Sequence, residues 1–362
     1  GFTQAHINLS NALAQKGDRE GTVREAREAV HLAPEDSEAH RTLGRALSFA
    51  ADNKAAMEEL RAAVKLEPAR AGLHDELGSL LAQEKESAAA SAQFEEAIRL
   101  APEFPAAHVH LGVIEFEEKS TEAAVAQLQE ATRLDPQNPQ SHYYLGEALQ
   151  QAGKTEEAAL ELRAATKLRP DFPEAQRELG LLLQHSGNSA DAVEPFRQVT
   201  RLQPNSPDAH NNLGLAMLQS GDADGAIIEF KAALGLRFGD TGYRANLGAA
   251  YLQKTDFDAA IGEFQSALRD APDDATLHYD LGLALKLKDK LPEGIAELRK
   301  AAELDPMQAD AFYTLGVTLW QQGELAAAET ALRGAIRAKP DYAEAYYTLG
   351  TVLKQQEKLQ DA

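Results

Sequence analysis

Residues 105–138 read PAAHVHLGVIEFEEKSTEAAVAQLQEATRLDPQN, and their pattern returns every 34 residues along the 362-residue chain. The pair Leu111-Gly112 has a counterpart in ten successive units, from Leu43-Gly44 to Leu349-Gly350, with no insertion or deletion. A fixed period of this length indicates stacked repeats rather than separate globular domains. With this leucine at position 7, the units are 3–36, 37–70, 71–104, 105–138, 139–172, 173–206, 207–240, 241–274, 275–308, 309–342 and a partial eleventh, 343–362.

Other columns of the unit carry structural information of their own. Position 20 is alanine in nine of eleven units, position 27 is alanine in nine of ten, and position 32 is proline in nine of ten. Two apolar stretches with helical periodicity are separated by turn residues such as Gly153-Lys154-Thr155. The pattern predicts a helix, a short turn and a second helix that the proline ends.

Glycine at position 8 lies inside the first helix, where it costs about 1 kcal/mol relative to alanine. We interpret it as the mark of a backbone approach that a methyl group would block. The small residues at positions 20 and 27 fit the same close approach from the second helix.

Together, Leu111, Gly112, Ala124, Ala131 and Pro136 of the fourth unit closely resemble the tetratricopeptide repeat (TPR). The resemblance covers essentially the whole chain and implies an all-α fold, a right-handed TPR superhelix, or alpha-solenoid, of antiparallel helix pairs. It also implies a single array over residues 1–362, with the first helix of each pair lining a concave groove.

Composition narrows the function. The chain has 36 Lys and Arg against 57 Asp and Glu, a formal charge of −21, and such a surface repels nucleic acid and anionic lipid. There is no cysteine and no apolar run long enough to span a membrane, so we expect a soluble protein of the cytoplasm or of the bacterial periplasm or exterior.

No motif for a phosphate loop, a nucleophile elbow or a zinc protease is present. The acidic pairs Glu58-Glu59 and Glu156-Glu157 are expected to face solvent at early turns of second helices. We therefore expect no enzymatic activity and no cofactor.

Histidine occupies position 4 in seven units. Adjacent members lie in different units, and the resemblance implies a packing role between helices rather than metal binding. In "AAHVHLG" (106–112) the two histidines point about 200° apart on a helix, so they do not share a metal. His108 belongs to the packing column, whereas His110, at position 6, is expected to face the groove. The seven histidines are His6, His40, His74, His108, His142, His210 and His278.

The groove positions implied by the resemblance are 2, 5, 6, 9, 12 and 13. They are largely polar in the first three units and become more apolar and aromatic from the seventh. Aromatic and aliphatic side chains beside amides suit an extended or helical peptide, although packing between repeats and self-association remain alternatives. The predicted peptide-binding residues are Asn212, Leu218, Asn246, Leu252, Tyr279, Asp280, Tyr313, Trp320 and Tyr347.

The function predicted from the sequence is a scaffold that holds a protein or peptide partner. One alternative is end-to-end assembly of identical chains through uncapped terminal repeats. Another is the targeting arm of a larger enzyme, such as a glycosyltransferase, whose other parts lie outside this sequence. Asn8, Asn212 and Asn246 match the asparagine ladder of O-linked N-acetylglucosamine transferases, but most units do not.

Overall fold

A computed structural model describes residues 1–357, and within them the chain is helical with no β-strand. The first helices of successive pairs are α1 (Phe2–Gln15), α3 (Ser37–Phe49), α5 (Ala71–Gln83), α7 (Pro105–Glu117), α9 (Pro139–Gln151), α11 (Pro173–His185), α13 (Pro207–Gln219), α15 (Thr241–Gln253), α17 (Ala275–Leu287), α19 (Ala309–Gln321) and α21 (Ala343–Gln355). The second helices are α2 (Arg19–Leu32), α4 (Asn53–Leu66), α6 (Ser87–Leu100), α8 (Thr121–Leu134), α10 (Thr155–Leu168), α12 (Ser189–Leu202), α14 (Ala223–Leu236), α16 (Phe257–Asp270), α18 (Leu291–Leu304) and α20 (Leu325–Ala338).

The helix-turn-helix prediction is confirmed for the ten complete units. The second helix of the partial eleventh unit falls on residues that lie outside the described range. The helices form two compact units, Gly1–Glu178 and the part of Leu179–Ala362 that is described. Packing against the second helix of the same pair occurs for α1, α3, α5, α7, α9, α13, α15, α17 and α19. Second helices such as α14 and α20 also pack against the first helix of the next pair.

The turn inside each pair places one residue, at position 15, in the left-handed backbone region. Gly153 and Gly221 adopt it with φ of 75° and 94°. Glycine tolerates this region, whereas a side chain with a Cβ is strained there. Thr255, a β-branched residue, nevertheless adopts φ 60° at the same position.

Glycine at position 8 has the close neighbour that the sequence predicts. A Cβ built on Gly112 would lie 2.7 Å from Cγ of Leu128, and one on Gly248 would lie 2.5 Å from Cε1 of Phe264. These neighbours come from position 24 of the second helix, where the side chains are buried. In the first unit position 8 is Ser10 and position 24 is only an alanine.

Histidine at position 4 joins three parts of the array. The Nδ1 atom of His142 lies 2.6 Å from Oε2 of Glu161 in the second helix of its own pair. Its Nε2 atom lies 3.2 Å from the carbonyl oxygen of Pro136 in the preceding loop. The same two contacts recur at His40, His74, His108, His210 and His278, with glutamine as the side-chain partner at His74 and His108.

The expectation that Glu58-Glu59 faces solvent as a pair is wrong for Glu59. Its Oε2 lies 2.6 Å from Nδ1 of His40, because position 23 of the second helix points at position 4 of the first. Glu58 is exposed.

Candidate binding groove

The predicted peptide-binding residues all lie on the first helices α13, α15, α17, α19 and α21 of the second compact unit. Neighbouring first helices in this series contact each other. We call the surface formed by their positions 2, 5, 6, 9, 12 and 13 the first-helix face.

Polar side chains on the first helices bind their neighbours in the next repeat. Asn246 donates its amide to the Oδ1 atom of Asn211 at 2.8 Å, linking position 5 to position 6 of the following repeat. In the first compact unit, Arg41 and Glu76 make the same link at 2.5 Å. We call a contact between position 5 and position 6 of the next repeat a rung. Rungs stiffen the stack and occupy part of the hydrogen-bonding capacity of these side chains.

His110 was expected to face the groove, and the structure places it in a rung. Its Nδ1 atom lies 2.7 Å from Oδ1 of Asp75, and its ring lies 5.2 Å from the ring of Phe94. The two histidines of "AAHVHLG" are thus held by different residues, since Gln127 contacts Nδ1 of His108 at 2.7 Å.

Three of the predicted aromatic residues share one apolar cluster. Tyr279, Tyr313 and Trp320 are partly buried and pack on a core that includes Leu319 and Leu332. Their partial burial agrees with the packing alternative, yet each residue keeps part of its surface exposed. A partly exposed aromatic ring on a buried base is a rigid contact surface for a partner.

Contacts with neighbouring side chains position Trp320 and Tyr313. The indole N–H of Trp320 donates to Oε1 of Gln355 at 2.8 Å. The rings of Tyr313 and Tyr342 lie 5.0 Å apart, and the Tyr342 hydroxyl donates to Oδ1 of Asp310 at 2.7 Å. Trp320 and Tyr313 are therefore held in place before any partner arrives.

The remaining predicted residues are distributed along the face. Leu218 and Leu252 pack on two separate apolar clusters, so they do not join the tyrosine and tryptophan cluster. Asn212 is partly buried on α13. Tyr347 on α21 has 81% of its surface exposed, far more than any other predicted site residue.

Two charged side chains of α17, Asp280 and Lys286, are partly buried. Burial, with a smaller contribution from the negative charge of Asp274, raises the pKa of the Asp280 carboxyl to about 6. Burial also lowers the pKa of the Lys286 ammonium group. The Tyr279 phenol has a raised pKa, caused first by burial and also by the negative charges of Asp310 and Asp280, while a hydrogen bond with Thr314 opposes the rise.

The predicted peptide-binding residues do not include Thr314, Tyr342 or Gln355. Gln355 belongs to a column of glutamine at position 13, which the sequence alone leaves as either a polar lining or a solvated helix end. The structure shows a contact between positions 12 and 13 of successive repeats, which also joins Gln184 to Gln219 at 3.0 Å. Tyr342 lies in the loop between repeats, outside the positions considered for the groove.

Two further observations concern residues 1–357. No helix there is long and apolar enough to cross a lipid bilayer. The same residues contain no group of three or more His, Asp or Glu side chains arranged to hold a metal ion.

Sequence models described as tetratricopeptide repeat match residues 71–104, 143–207, 181–241, 246–309 and 313–362, and a TPR repeat model matches 112–153. The chain belongs to the tetratricopeptide repeat family. No curated protein matches this TPR protein.

One solved structure supports the same fold, and two further matches have lower TM-scores. PilF of Pseudomonas aeruginosa is 21% identical with a TM-score of 0.52, and the match covers 57% of this chain and 93% of PilF. YrrB, described as a TPR protein with an unusual peptide-binding site, is 22% identical over 55% of this chain and 99% of its own, with a TM-score of 0.47. Yeast Tom70 is 14% identical over 99% of this chain and 90% of its own, with a TM-score of 0.48. At these identities the likeness concerns the fold alone.

Proposed function

We propose that this TPR protein is a non-catalytic scaffold that binds a peptide or protein segment on the first-helix face of repeats seven to eleven. The observation that carries the proposal is the stripe of tyrosine side chains at position 5, Tyr279, Tyr313 and Tyr347, beside Trp320. Tyrosine and tryptophan contribute large contact areas at low entropic cost and dominate binding energy in protein interfaces.

Polar side chains at position 6 add hydrogen-bonding groups to the first-helix face. Asn212, Asn246 and Asp280 lie at position 6 of repeats seven, eight and nine, and Asp280 directly follows Tyr279 of the stripe. The Asn246 amide makes one rung and retains further donor and acceptor capacity. Such groups can pair with the main chain of an extended peptide while the rings cover its side chains.

Selection of a displayed library of random dodecapeptides on the wild-type protein would test the proposal, with the affinity of a selected peptide then measured for variants. Tyr347→Ala should weaken binding about tenfold or more, because an aromatic contact typically contributes at least that factor. Its exposure makes loss of folding an unsuitable explanation for the loss of binding.

The matched control is Tyr346→Ala. Tyr346 is the adjacent residue and has 52% of its surface exposed, but it lies at position 4, off the first-helix face. Its removal should leave the affinity unchanged. If the library yields no binder, or if Tyr347→Ala and Trp320→Phe both bind the selected peptides like the wild type, the proposal is wrong.

A further inference from the structure

Acidic and basic side chains at position 6 of the first helices differ in whether another side chain of the protein pairs with them. Glu76 lies 2.5 Å from an Arg41 nitrogen, and Glu178 lies 3.1 Å from an Arg177 nitrogen. His110 has its carboxylate partner at 2.7 Å. Asp280 is the fourth member of this set, and among residues 1–357 no side chain forms a hydrogen bond or ion pair with it.

The missing partner has a cause in the sequence. In a rung, the side chain at position 5 of one repeat reaches position 6 of the next, 35 residues later, as Asn211 reaches Asn246. The residue 35 positions before Asp280 is Ala245, whose methyl group offers no donor. Ala245 instead packs on the apolar cluster of α16 and α17. The rung between repeats eight and nine therefore has an acceptor and no donor.

An ionised Asp280 without a partner lowers the stability of the folded protein. The carboxylate is partly buried, and a buried charge without a partner destabilises the folded state. Its neighbours on the face are Tyr279, whose pKa it helps to raise, and Asn246 at the same position of the preceding repeat. An aromatic ring beside an unpaired carboxylate is a favourable site for a cation.

We propose that Asp280 receives a lysine or arginine side chain of the bound peptide, which supplies the donor that Ala245 lacks. This proposal rests on the proposed function and names one required feature of the partner. The partner is then a segment with a basic residue among apolar or aromatic ones. An acidic segment would be repelled by the Asp280 carboxylate.

The probe is a set of synthetic peptide pools, each capped at both ends, with random uncharged residues around a central lysine, arginine or glutamine. The wild type should bind the lysine and arginine pools about fivefold or more better than the glutamine pool. Asp280→Asn should remove the preference. Ala245→Arg should also remove it, because the new guanidinium completes the rung within the chain.

The control for net charge is Asp270→Asn. Asp270 is exposed at the end of α16, and its replacement changes the total charge by the same amount as Asp280→Asn. It should retain the preference for the basic pools. This comparison separates a specific contact from general attraction of cations to a chain of charge −21.

The outcomes distinguish the two proposals. Equal binding of all three pools by the wild type would overturn the role of Asp280 and leave the peptide-binding function intact. A preference that persists in both Asp280→Asn and Ala245→Arg would overturn it as well. If the wild type binds none of the pools, the peptide-binding function itself fails.

Discussion

His142 Nδ1 lies 2.6 Å from Glu161 Oε2, and this pair links the first and second helices of the fifth repeat. The residue types at positions 4 and 23 are matched in most of the complete repeats. Arg244 meets Glu263 at 3.2 Å, whereas the repeat with Phe312 at position 4 has Ala331 at position 23. In these repeats a polar residue in the first helix is matched by a polar residue in the second, and an apolar residue by a small apolar one. The sixth repeat, with Gln176 at position 4 and Pro195 at position 23, is an exception.

Replacing His142 by phenylalanine should destabilise the protein by about 1–3 kcal/mol, because both hydrogen bonds are lost and their partners stay partly buried. The double variant His142→Phe with Glu161→Ala recreates the pairing of Phe312 with Ala331 and should recover part of the loss. Urea unfolding followed by circular dichroism measures both. A double variant less stable than His142→Phe alone would contradict the matching of the two positions.

Gly248→Ala should destabilise the protein by about 1–3 kcal/mol, since the new methyl group would overlap the buried ring of Phe264. Gly262→Ala is the matched control. Gly262 lies exposed in α16 with no atom within 4 Å of an added Cβ, so alanine there should stabilise by about 0.5–1 kcal/mol through helix propensity. Thermal unfolding of the two variants should give shifts of opposite sign, and two shifts of the same sign would refute this explanation of the glycine column.

Thr255→Gly should stabilise the protein by about 0.5–1 kcal/mol. The β-branched side chain adopts φ 60°, where L residues are strained, and glycine relieves the strain at some cost in chain entropy. The reverse change, Gly221→Thr at the equivalent turn, should destabilise. A lower unfolding midpoint for Thr255→Gly than for the wild type would show that this turn is not strained.

Asp280 should make stability depend on pH. Its pKa in the folded protein is raised to about 6, so the folded state holds this proton more tightly than the unfolded chain. Its contribution to stability is therefore present at low pH and is lost as pH rises through about 6. Asp280→Asn should match the wild type near pH 4 and exceed its unfolding free energy by about 1–3 kcal/mol near pH 8. A constant difference over this range would contradict the assignment.

The fold could be predicted from the sequence because each repeated position, such as the glycine at position 8, reflects a local packing or backbone constraint. The period placed every described helix pair, and the glycine at position 8 correctly indicated a close approach. The identity of the approaching group did not follow, since Leu128 and Phe264 differ in type at position 24 and no single residue marks that column.

The candidate site was predicted in part. The tyrosines at position 5, Tyr279 and Tyr313, could be recognised in the sequence. Their degree of burial could not, because it depends on the apolar side chains of other helices on which they pack. The unpaired state of Asp280 could not be predicted without knowing that position 5 contacts position 6 of the next repeat. Only that contact shows that Ala245 leaves Asp280 without a donor, because an alanine side chain alone indicates no binding role.

The most direct test of the central claim is hydrogen–deuterium exchange of the wild type with and without a selected peptide. Binding at the proposed face stabilises the helices that form it, so their backbone amides should exchange more slowly in the complex. The account predicts slower exchange concentrated in α17, α19 and α21. Slower exchange confined to the second helices, or to residues 1–178, would contradict it.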